Sequence, residues 1–90
     1  MRASAPPEGF KIILAPAVED MVRDVLESFP EDEWRWEAVL ARLRVVGHKV
    51  GKPFDTYGTQ RSDSFELDQW RVTLAWTVTH DTIRIVNAMF

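Results

Sequence analysis

Two side chains in this sequence, His48 and His80, titrate near neutrality in their unperturbed state, which makes them the first candidates for acid–base work. Placed 32 residues apart, with no cysteine and no third ligand in evidence, they make a poor metal site. Phosphate chemistry would also need cations, and the second half of the chain supplies Lys49, Lys52, Arg61, Arg71 and Arg84. Arg71 is the best placed of them. It falls in a stretch where Trp70, Val72, Leu74, Trp76 and Val78 alternate with Arg71, Thr73, Ala75, Thr77 and Thr79, so a strand here sends Arg71 to the wet face. Tyr57, the sole tyrosine, can stack on a base. Each residue also has a plainer role. Arg71 can be a solvated strand residue, Lys52 and Arg61 solubilising loop cations, His80 a turn residue, His48 a partner of helix-terminal carbonyls and Tyr57 a packing residue.

The elements that must position these groups follow from periodicity. Residues 1–9 are small, proline-bearing and polar, without the apolar run of a signal peptide, and read as a flexible N-terminal tail; residues 10–90 read as one domain. Phe10, Ile12 and Leu14 alternate with Lys11 and Ile13, which predicts a short strand. From Pro16, Val18, Met21, Val22, Val25, Leu26 and Phe29 recur at helical spacing until Pro30. Glu31-Asp32-Glu33 opens a second helix with Trp36, Val39, Leu40, Leu43 and Val46 as its apolar stripe and Gly47 as its cap. Residues 47–64 show no period and read as a long loop carrying His48, Lys49, Lys52, Tyr57 and Arg61. Phe65-Glu66-Leu67 reads as a strand edge, Asp68-Gln69 as a turn, 70–79 as an antiparallel strand, His80-Asp81 as a hairpin turn and 82–90 as the last strand. The expected architecture is α+β: strand, helix, helix, then an antiparallel strand meander, with a two-helix hairpin packed on one face of a small twisted sheet.

Composition bounds the possibilities. Ninety residues make one domain, and 46% apolar with 28% charged residues is the balance of a folded protein. No apolar run approaches the roughly 20 residues of a membrane span. The absence of cysteine and of a signal peptide points to the cytoplasm. The net charge of −3 is unevenly spread: residues 1–46 hold 6 Lys/Arg against 9 Asp/Glu, and residues 47–90 hold 5 against 5. A domain built for non-specific nucleic-acid binding would carry a basic excess, so the global charge speaks against one and leaves room for a local basic patch in the second half.

Four stretches share a resemblance. Phe10-Lys11-Ile12-Ile13-Leu14-Ala15-Pro16-Ala17-Val18-Glu19-Asp20 resembles the start of the RelE/ParE toxin superfamily, a short strand ending in a small residue and proline before an acidic helix. Ala41-Arg42-Leu43 through Gly47, with Val50-Gly51-Lys52-Pro53, resembles its HigB-type branch. Trp70-Arg71-Val72 is similar to the family's aromatic-Arg-aliphatic strand, and Asp81-Thr82-Ile83-Arg84-Ile85 to its acidic turn before the last strand. The resemblance covers residues 10–90. It implies a RelE-like fold and the toxin of a type II toxin–antitoxin pair, neutralised by a cognate antitoxin, with the ribosome and mRNA as partners. The implied activity is ribosome-dependent, metal-free and cofactor-free mRNA cleavage by an endoribonuclease (mRNA interferase). Under it Arg71, Lys52, Arg61, His48 and His80 would be catalytic, and Lys49, Tyr57 and Arg84 would bind substrate. The family's ribonuclease members commonly carry a Tyr, His or basic residue at or beyond the end of the last strand, where this chain has Asn87-Ala88-Met89-Phe90. That keeps two alternatives open: a ParE-like, non-catalytic inhibitor of DNA gyrase, or a protein-interaction module without nuclease activity.

Overall fold

Pro16 ends the first strand and starts the first helix, because its ring fixes a helical φ while its missing N–H is one that no helix needs at that position. The computed structural model describes residues 8–56, 59–67 and 70–90. Along them run β1 (Lys11–Leu14), α1 (Pro16–Ser28), a 3-10 turn (Pro30–Asp32), α2 (Glu33–Val46), β2 (Lys52–Pro53), β3 (Gln60–Glu66), β4 (Arg71–Val78) and β5 (Thr82–Met89). The strands form one sheet in the order β1-β5-β4-β3-β2. The fold is α+β, with two helices against a five-stranded sheet.

The sheet is mixed rather than a pure antiparallel meander. β2 to β5 pair antiparallel in succession, whereas β1 returns beside β5 in parallel, Ile12 opposite Ile83 and Leu14 opposite Ile85. A parallel partner needs a long crossover, and the helical hairpin is the first part of it. The predicted long loop is the second difference, since residues 47–64 contain β2 and most of β3. Apolar alternation could not reveal β3, because Arg61 and Asp63 occupy its helix-side positions and Phe65 alone packs there against the core. Its backbone pairs with β4 along all seven residues, and that pairing defines it.

One face of the sheet is covered. Val72, Leu74, Trp76 and Val78 from β4 and Ile83, Ile85 and Ala88 from β5 meet Val18 and Val22 of α1 and Trp36, Val39 and Leu43 of α2. Trp76 is wholly buried, and its indole N–H donates to the Gly47 carbonyl at 2.8 Å, tying the end of α2 to the middle of β4. Gly47 therefore serves a different purpose from a left-handed cap. Its φ is −61°, and a Cβ there would stand 2.5 Å from Ile83 Cδ1, so the residue is small because helix and sheet touch. Gly51 does need glycine's freedom: its φ is +79°, and a Cβ would lie 2.7 Å from the Ser62 carbonyl. Trp70, expected on the buried face of the long strand, lies just before β4, 38% exposed, with its ring edge-on to Phe29 at 5.2 Å. A bulge in β5 sets Val86 and Asn87 against Ala75, which restores Ala88 to the core side. The Asp68-Gln69 turn and residues 1–7 of the expected tail lie outside the described residues. Gly9 packs against the Arg44 side chain, and the Phe10 amide donates to the Arg44 carbonyl at 2.8 Å.

Candidate nucleic-acid interface

The helices leave the other face of the sheet open. Because partners in a ladder share a face, the register fixes what that face presents: Glu66 beside Arg71, Ser64 beside Thr73 and Met89, Lys52 beside Ser62, Ala75 and Asn87, and Gln60 beside Thr77, Arg84 and Ile13. Its strands contribute Lys11, Lys52, Arg71 and Arg84 against one carboxylate, Glu66. The helical layer, residues 16–46, carries eight Asp/Glu against four Arg. A chain of net charge −3 thus turns a locally basic, hydroxyl-rich surface to solvent on one side and an acidic one on the other.

The most developed feature of the open face is a pair. Arg71 Nη2 donates to Glu66 Oε1 at 2.8 Å, with the side chains 67% and 76% exposed. Beside it the Ser64 and Thr73 hydroxyls are hydrogen-bonded at 2.8 Å. A carboxylate held against a guanidinium puts a proton acceptor and a fixed positive charge within one small patch. An exposed pair adds little to stability. Sequence reasoning missed Glu66. The signal was the turn between Phe65-Glu66-Leu67 and the long strand: Leu67 N–H donates to the Trp70 carbonyl at 2.7 Å, and that closure sets Glu66 directly across from Arg71.

The remaining candidates fall in several places. Lys52 and Arg84 share the open face with Arg71, but strand spacing and rise put the three Cα atoms roughly 16–21 Å apart. That separation is too wide for the three to converge on one phosphate. Arg61 points to the other face, where its Nε donates to the Val50 carbonyl at 2.7 Å and its Nη2 reaches the Gly51 carbonyl at 3.4 Å. It braces the segment after α2. His48 lies just past α2 and packs against Phe10 at 5.3 Å between ring centroids. Its Nδ1 is buried without a hydrogen-bond partner. Burial, and then the positive charges of Lys49 and Arg61, lower its pKa below the usual histidine value. His80 is exposed in the β4–β5 turn, which Thr79 N–H closes on the Thr82 carbonyl at 2.9 Å. Lys49 is exposed beside His48. Tyr57 lies outside the described residues. Nearby, Asp55 accepts hydrogen bonds from the Thr59 hydroxyl and the Gln60 amide, and these lower its pKa.

Among the described residues no group of His, Asp and Glu could hold a metal ion, and no helix is long and apolar enough to cross a membrane. No protein-family model, curated protein or solved structure matches this chain.

Proposed function

We propose that the chain is a RelE/ParE-like toxin that cleaves messenger RNA on the ribosome, and that the open face of the sheet is where it meets the RNA. The Glu66–Arg71 pair carries this reading, because it supplies two of the functions that metal-free RNA cleavage requires. Glu66 takes the proton of a ribose 2′-hydroxyl, and the 2′-oxygen attacks the adjacent phosphorus. Arg71 stabilises the extra negative charge of the phosphorane. The bond to the 5′-oxygen then breaks, leaving a 2′,3′-cyclic phosphate, and the departing oxygen takes a proton from solvent water, to which the exposed face is open, while Glu66 returns its proton to solvent. Lys52 and Arg84 hold the flanking backbone, which suits their wide spacing, and the Ser/Thr hydroxyls between them offer hydrogen bonds to sugar and phosphate. A cognate antitoxin would neutralise the protein in a cytoplasmic setting.

One observation favours a second reading. Both histidines lie away from the Glu66–Arg71 pair: His48 packs against Phe10 beyond α2, and His80 is in the turn at the far end of β4. A ParE-like toxin that inhibits DNA gyrase without cleaving RNA needs no acid–base group on that face. Induced expression with pulse labelling separates the two. A prompt fall in protein synthesis supports mRNA cleavage, a prompt fall in DNA synthesis supports gyrase inhibition, and neither effect removes both.

A further inference from the structure

The acidic side of the molecule carries a groove of its own. Among the described residues β1 is an edge strand with β5 as its sole strand neighbour. Lys11 and Ala15 donate their amides to the Asp81 and Ile85 carbonyls on the β5 side. Alternation along a parallel strand therefore turns the amide and carbonyl of Ile12, and the amide of Leu14, toward the free edge. Along that edge lie three depressions. One of about 330 Å³ joins a second of about 350 Å³ through Ile12 and Arg44. The second joins a third, of about 410 Å³ between α1 and the start of α2, through Leu14 and Glu19. The floor is apolar, formed by Ile12, Leu14, Leu26 and Leu40. The walls hold Glu19, Glu27, Glu33 and Glu37. Three cations oppose them: Arg23, which is ion-paired with Asp20 at 2.7 Å, and Arg44 and Lys11 at the β1 end, where Glu8 and Asp81 add further carboxylates.

We propose that this groove docks an extended segment of a partner protein in which basic and apolar residues alternate. The free strand edge offers backbone hydrogen bonds to an extended chain, and an extended chain sends successive side chains to opposite sides. Apolar side chains fill the depressions while lysine or arginine side chains meet the glutamate walls. The same walls repel a phosphate backbone, which rules out nucleic acid as the occupant here. The proposal does not depend on what the open face of the sheet does.

The test is selection of a random dodecapeptide library displayed on phage against the full chain. Affinities of the enriched peptides are then measured by fluorescence anisotropy for the wild type, for Ala41→Trp, which fills the central depression from an exposed helix position, and for the double variant Glu19→Gln/Glu37→Gln. The enriched sequences should be net basic with alternating apolar residues. Their affinity should fall about tenfold in the double glutamine variant and to background in Ala41→Trp. The glutamine substitutions are at exposed positions and decide the matter even if Ala41→Trp does not fold. The proposal is overturned if nothing is enriched, if the enriched peptides are neutral or acidic, or if they bind the glutamine variant as well as the wild type. It is also overturned if the wild type sediments as a dimer that Ala41→Trp dissociates, because the occupant is then a second copy.

Discussion

The two faces of the sheet are made from the same strands and do opposite things. On β4, Val72, Leu74 and Trp76 are wholly buried under the helices, while their neighbours Arg71 and Thr73 stand in solvent. The covered side holds the fold together through close contacts such as Trp76 on Gly47. The open side contributes few apolar contacts and holds Glu66, Arg71, Lys52 and Arg84 in a register set by the ladder. Stability and activity should therefore respond to different substitutions, even at adjacent residues of one strand.

The largest effect is expected on the covered side. Trp76→Ala removes a fully buried indole and its hydrogen bond and should cost roughly 3–5 kcal/mol, enough to unfold much of so small a domain; urea denaturation measures it. On the open side, Arg71→Ala should leave stability within about 0.5 kcal/mol of wild type while lowering RNA cleavage about a hundred- to a thousandfold, as loss of a charge that acts in the transition state does. Circular dichroism melts and cleavage rates on the same samples show whether the two faces separate in this way.

The third effect lies where the segment after α2 meets the sheet. Gly51→Ala forces a side chain into a left-handed φ and against the Ser62 carbonyl, and should cost about 1–3 kcal/mol in the same urea experiment. The smallest effect concerns His48. Its pKa is lowered in the folded state, so the unfolded chain binds the extra proton more readily. The stability this contributes is present above the unfolded value of 6.5 and is lost as pH falls through the folded value. His48→Gln should flatten that acid-side decline in melting temperature without changing stability at pH 8.

What the sequence revealed tracks how one-sided each element is. β4 and α1 put apolar residues on one side and polar residues on the other, and β1 and α2 each bury one apolar stripe although Ile13, Trp34 and Val45 stand exposed, so their periods were legible, and Arg71 could be assigned to the open face from alternation alone. β3 is polar on both faces except at Phe65, so it read as loop, and Arg61 could not be assigned to the helix side. Glu66 was hidden for a related reason: its place across from Arg71 depends on hairpin register, which no single strand's pattern contains. The parallel pairing of β1 with β5 joins residues some seventy positions apart, beyond the reach of any local signal.

The separation of faces is tested most directly by primer extension on messenger RNA from cells expressing wild type, Arg71→Ala and Glu66→Gln. All three should be confirmed as folded by their melting temperatures. The expected result is ribosome-dependent cuts in the wild type and their loss in both variants at unchanged stability. Cuts that persist in Arg71→Ala, or a wild type that makes none, would contradict the assignment of cleavage to the open face.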